Sequence, residues 1–158
     1  MRILFVEDRK HDIGGILAQC VARKWIIDRV PDFAQAVEVL SDRSRHYNLI
    51  VIDVMLPWGR RTPDAVQAEF SDELSGLTLL QAMRGVGVGH NVVAMKMKQT
   101  IEFHKNTPTI ILSKIMEVED ACRELGVLDF FDKFNYNFQL VMNLIEKIET
   151  QFKLGVIK

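Results

Sequence analysis

The chain has 158 residues, of which 48% are hydrophobic and 26% charged, with a formal net charge of −1, a length and balance suited to one globular domain with a full core. The near-neutral charge gives no signal for binding a polyanion and argues against direct nucleic-acid contact. No apolar stretch reaches the length of a membrane span, and Glu7-Asp8 interrupts the amino terminus before a signal-peptide core could form. Cys20 and Cys122 lie in apolar helical contexts and read as small buried hydrophobes of a reducing compartment, so a cytoplasmic location is expected.

In chain order, the first strand covers about residues 2 to 7. A helix over about 12 to 23 carries Ile13, Ile16, Leu17, Cys20 and Val21 at helical spacing, weakened near its start by Gly14 and Gly15. Trp25-Ile26-Ile27 marks the second strand, and Asp32 is a good N-cap for a helix bearing Phe33, Ala36, Val37 and Leu40. The third strand is the run Leu49-Ile50-Val51-Ile52 ending in Asp53, and a third helix follows Gly76 with Leu77, Leu79, Leu80 and Met83. Thr109 to Leu112 forms the fourth strand, Val118 to Leu125 a short helix, and Leu128 to Phe131 the fifth strand. The last helix, about 137 to 152, presents Phe138, Val141, Ile145, Ile148 and Phe152 on one face. Five strands alternating with five helices predict an α/β fold, a doubly wound parallel sheet with right-handed crossovers covering both faces.

A strand buried on both faces reads as a continuous apolar run, so a polar residue at its carboxyl end stands at the mouth of the sheet, where open α/β folds place their chemistry. Glu7-Asp8 ends the first strand, Asp53 the third and Ser113 the fourth, while Lys133 follows the fifth. Three acids brought together repel unless a positive charge lies among them, and the candidates are the Lys133 ammonium and a divalent metal. The hard oxygens of Glu7, Asp8 and Asp53 suit Mg²⁺. His11, His46, His90 and His104 are scattered without ligand spacing, and none is assigned a metal or catalytic role.

This constellation resembles the CheY-like receiver domain of two-component response regulators across nearly the whole chain. Glu7-Asp8 resembles the family's metal-binding acidic pair, and Asp53 with Pro57 four residues on resembles its phospho-acceptor segment. Ser113 stands where the family has a hydroxyl residue. The stretch Gly126 to Lys133 resembles the one that closes the site with lysine, and Phe130, three residues earlier, falls on the aromatic whose rotation reports phosphorylation. The resemblance implies a flavodoxin-like strand order 2-1-3-4-5. It also implies phosphorylation of Asp53 with Mg²⁺ held by Glu7, Asp8, Asp53 and the Met55 backbone carbonyl, with Ser113 and Lys133 on the remaining phosphoryl oxygens. The implied partners are a sensor histidine kinase or phosphotransfer protein and a downstream effector. The domain is not expected to be an enzyme beyond its own phosphoryl transfer and dephosphorylation. Removal of Lys133 is expected to cost the fold no more than a loop contact. A metal-dependent phosphohydrolase of similar fold would need an acid two residues after the nucleophile, where Met55 stands.

The chain departs from the family in several places. Lys114 replaces the usual small residue after the hydroxyl, where it could screen the acceptor or contact phosphate. Phe134 replaces the proline after the lysine, so a cis peptide is not expected there. The segment from Ser113 to Lys133 implies a trimmed fourth helix. Two insertions stand out within what is expected to be one domain, 1–158, without an output domain. The first, about 58–75, is expected to hang over the acidic site with a short helix over Ala65 to Phe70, started by Thr62-Pro63. The second, 85–107, has a flexible lead at Gly85, Gly87 and Gly89. Val93, Met95, Met97, Ile101 and Phe103 then alternate in a strand-like pattern, with a helical stripe as the alternative. It is expected to lie outside the core as an intermolecular contact, such as a homodimer interface. These departures also allow a different class of function, a degenerate receiver that binds a partner constitutively without phosphorylation.

Overall fold

The computed structural model describes residues 1–60, 74–86 and 99–156. Its centre is a five-stranded parallel sheet in the order β2-β1-β3-β4-β5, formed by β1 (Arg2–Val6), β2 (Ile26–Val30), β3 (Leu49–Ile52), β4 (Thr109–Ser113) and β5 (Asp129–Asp132). Every residue of β3 and β4 is buried, which is why both strands read as unbroken apolar runs rather than as alternating ones.

The pleat sends alternate side chains to opposite faces, each covered by its own helices. Leu4, Val6, Ile50, Ile52 and Ile111 pack with Phe33, Ala36 and Leu40 of α2 (Phe33–Ser41) and with Leu79, Leu80 and Met83 of α3 (Ser75–Arg84); Cys122 of α4 (Glu119–Glu124) and Phe130 join them. Ile3, Phe5, Leu49, Val51, Ile110 and Leu112 pack with Ile16 and Cys20 of α1 (Gly14–Ala22) and with Val141, Ile145 and Ile148 of α5 (Phe138–Lys153). Each fully buried Leu, Ile or Phe side chain contributes about 1.5–3 kcal/mol relative to exposure. Both thiols are free and buried, and burial pushes each up to about 11.

Several boundaries differ from expectation for local reasons. The first helix does not start at residue 12: a 3₁₀ turn, Lys10–Ile13, comes first and the α-helix begins at Gly14. Trp25 is not in the second strand but precedes it, buried, its indole N–H donating to Glu149 Oε1 on α5 at 2.9 Å. Asp32 caps α2 as expected, accepting from the Gln35 N–H at 2.8 Å. α3 opens at Ser75 rather than after Gly76, and its Ser75 hydroxyl donates to Leu56 O at 2.6 Å. The fourth helix is the short one implied, with Val118 and Leu125 as its caps. There is no cis peptide bond among the described residues, the Lys133–Phe134 bond included.

The second insertion is corrected where it rejoins the sheet. Residues 99–101 are helical and Glu102–His104 continue as a 3₁₀ turn, so the strand-like pattern does not extend to its end. Ile101 is fully buried in the cluster that contains Leu40, Tyr47 and Met83, inside the core rather than outside it. His104 is buried beside it, its Nε2–H donating to Leu40 O at 3.1 Å. Arg84 fastens the same region, donating from Nε to Leu125 O at 2.9 Å and from Nη2 to Thr109 Oγ1 at 3.0 Å. Val93, Met95 and Met97, like the helix expected over Ala65 to Phe70, lie outside the described residues.

Candidate functional site

Strand register fixes the site. Val6 pairs with Val30 on one side and Ile52 on the other, Ile52 pairs with Ile111, and Ser113 with Asp132. The residues that follow, Glu7, Asp53, Lys114 and Lys133, therefore emerge together at the carboxyl edge of the sheet. Backbone bonds continue the ladder past the strands: Asp53 N–H donates to Val6 O at 2.9 Å and Lys133 N–H to Ser113 O at 2.8 Å.

The expected convergence of acids and lysine is present. Oxygen atoms of Glu7, Asp8 and Asp53 all lie within 4.8 Å of one another. Lys133 Nζ sits 2.5 Å from Glu7 Oε2 and 2.6 Å from Asp53 Oδ2, with its side chain only 2% exposed. It is thus the buried counter-ion of two acids, more than the loop contact expected of it. Asp53, also 2% exposed, accepts from the Met55 N–H through Oδ1 at 3.1 Å. Glu7 accepts from the Arg9 N–H at 3.0 Å.

Desolvation dominates the electrostatics. Burial pushes the Glu7 carboxyl up to about 7 against the pull of Lys133, with Asp53 adding to the rise. Asp53 is raised for the same reason, opposed by Lys133 and aided by Asp8. An anionic trio held by one ammonium is a site short of positive charge. Asp8 Oδ1 is buried and has no hydrogen-bond partner among the described residues, though Arg9 Nε approaches to 3.8 Å. Hard oxygens, close spacing and an unsatisfied carboxylate oxygen fit a divalent cation such as Mg²⁺.

Ser113 is fully buried at the end of β4, and its Oγ accepts from the Ile115 N–H at 3.0 Å, a local turn contact. Phe130 is buried in the α2/α3 core. The Lys114 ammonium lies 3.4 Å from Asp12 Oδ2 and 5.0 Å from the centre of the Phe134 ring. Asp12 was not among the sequence candidates. It also pairs with Arg9 at 3.4 Å and lies 3.0 Å from His11; burial raises its carboxyl, but Arg9, Lys114 and Lys133 together hold it below the usual range. Its place five residues after Glu7 in a charged turn was the available signal.

The first insertion, expected over the acidic site, begins by turning to α2. Pro57 O and Trp58 O accept from the Phe33 and Ala34 N–H groups at 2.9 and 3.0 Å, satisfying the helix's first donors. Trp58 packs edge-on against Phe33 at 4.7 Å.

No family model matches the chain. Over 88 residues it is 35% identical to the response regulator RppA of Synechocystis, a match covering 55% of this chain and 31% of that protein, so the chain matches under a third of its relative's length. Among solved structures it is similar to the non-phosphorylated HemR receiver domain of Leptospira biflexa, with TM-score 0.61, 18% identity, and 93% and 92% of the two chains covered. It is likewise similar to the response regulator TrrA of Thermotoga maritima in complex with Mg²⁺-BeF, with TM-score 0.61, 16% identity and coverage of 93% and 97%. The chain has the CheY-like receiver-domain fold of two-component response regulators.

Proposed function

We propose that this receiver-fold domain accepts a phosphoryl group on Asp53 and signals by a conformational change read by another protein. The observation that carries the reading is the buried contact of Lys133 with both Glu7 and Asp53. It joins strand ends 80 and 126 residues apart in the chain into one site. In the transfer, an Asp53 carboxylate oxygen forms the new O–P bond as the donor's bond to phosphorus breaks. With a phosphohistidine donor the electron pair returns to the imidazole nitrogen, which regains a proton. Such transfers depend on positioning and charge neutralisation more than on covalent chemistry by the protein.

Lys133 neutralises one phosphoryl oxygen, and the Ser113 hydroxyl, released from its local turn, donates to another. Glu7, Asp8, Asp53 and the Met55 carbonyl would hold Mg²⁺, which supplies charge compensation for the phosphoryl oxygens when bound. Movement of Ser113 and Lys133 toward the phosphoryl group shifts the loops after β4 and β5. Phe130, inside that segment, relays the shift to the α4–β5–α5 surface. The fitting donor is a sensor histidine kinase or phosphotransfer protein, and the reader is an effector protein. The test is intact mass after incubation with Mg²⁺ and acetyl phosphate, expected to show one phosphoryl adduct in the wild type and none in Asp53→Asn.

A second reading, a constitutive interaction module that is never phosphorylated, is favoured by the near-complete burial of Asp53. The same experiment decides against it if the adduct forms.

A further inference from the structure

We propose that Lys114, Asp12 and Phe134 form a strap closed across the acceptor site, making Lys114 the residue that limits the entry of small phosphodonors. This rests on the reading of Asp53 as phospho-acceptor. The sheet order places β3 between β1 and β4. Asp12 belongs to the turn after β1 and Lys114 to the loop after β4, so their ion pair at 3.4 Å bridges the two strands that flank Asp53. Sides agree as well. Val51 and Leu112, each two residues before Asp53 and Lys114, share the face covered by α1 and α5. Phe134, from the loop after β5, stacks on the same ammonium at 5.0 Å. Three loops are thus gathered by one side chain.

Exposure is layered in the same sense. The Lys133 and Asp53 side chains are at most 2% exposed, whereas Lys114 is 23% and Asp12 15% exposed and Phe134 is 71% exposed. The strap is the wet outer layer over a dry inner site. It can open, because a partly exposed ion pair and a cation–π contact are weak. Asp12 keeps Arg9 and His11 when Lys114 leaves, so opening strands no buried charge.

The test combines two measurements on the wild type, Lys114→Ala and Asp12→Asn. The first is the rate of Asp53 phosphorylation by acetyl phosphate with Mg²⁺, expected to rise roughly 3- to 30-fold in both variants, the range set by contacts this weak. The second needs no phosphodonor: the acetylation rate of the Lys114 amine by mass spectrometry, expected to rise severalfold in Asp12→Asn while the exposed Lys105 is unchanged. Phosphorylation of Lys114→Ala or Asp12→Asn no faster than wild type overturns the proposal, as does a Lys114 reactivity indifferent to Asp12→Asn. If no variant takes up phosphate, the acceptor reading fails and the amine reactivity alone decides whether the strap exists.

Discussion

A Cβ on Gly76 would lie 1.9 Å from the carbonyl oxygen of Asp53 and 2.8 Å from Val54 Cα. The first turn of α3 therefore rests directly on the backbone of Asp53 and Val54, and the Gly76 N–H donates to Val54 O at 3.0 Å. Backbone on both sides leaves nothing flexible to yield. Gly76→Ala should cost at least the ~1–3 kcal/mol typical of overpacking, read as a lower urea midpoint at unchanged slope. A loss below half a kcal/mol would show that the helix simply slides.

Lys133 is the counter-ion of two buried carboxylates. Removing one member of a buried charged group leaves the rest uncompensated, typically at about 3–5 kcal/mol. Lys133→Met should therefore destabilise the fold strongly at pH 8, and Mg²⁺ should restore more stability to the variant than to the wild type. Equal Mg²⁺ responses would show that cation and ammonium do not share these acids.

Glu7 supplies a pH dependence with a defined sign. Its folded-state value of about 7 lies above its ordinary 4.5, so between those values the folded form holds more protons. Its contribution to stability is full below about 4.5 and declines as pH rises to about 7. Mg²⁺ needs the ionised carboxylate. The Mg²⁺-induced rise in Tm should thus be larger at pH 8 than at pH 6, and Glu7→Gln should remove most of that difference. A Mg²⁺ effect independent of pH would contradict the assignment of Glu7.

His104 titrates with the opposite sense. Burial lowers its folded-state value below the ordinary 6.5, against the Leu40 carbonyl, which favours the charged form. The unfolded chain then binds the proton more readily, so stability is full above 6.5 and falls as pH drops below it. His104→Gln should flatten the stability profile between pH 7 and 5, at some cost at pH 7. An unchanged profile would show that other groups set the acid limb.

The sheet and the acid–lysine centre were legible because both depend on local patterns. Buried strands wrote themselves as apolar runs, and Glu7, Asp53 and Lys133 each ended or followed one. The pairing of Lys114 with Asp12 was harder: a lysine and an aspartate far apart in sequence announce no contact until β1 and β4 are seen to flank β3. At Ile101 the sequence left two states open, because alternation with polar neighbours mimics a strand while a stripe through Val93, Met97 and Ile101 fits a helix. Burial against Leu40, Tyr47 and Met83 accompanies its helical state, a tertiary context that local pattern does not carry. Gly14 and Gly15 correctly marked a weak helix start, but not the 3₁₀ turn that replaces it.

The central claim is that Asp53 itself carries the phosphoryl group. Borohydride reduces an acyl phosphate to an alcohol, so protein treated with acetyl phosphate and Mg²⁺, then with borohydride, should yield homoserine at position 53 by peptide mass spectrometry. The account predicts that conversion in the wild type, faster in Lys114→Ala, and none when Mg²⁺ is withheld. Homoserine at another acid, or none at position 53 in either protein after prolonged incubation, would contradict it.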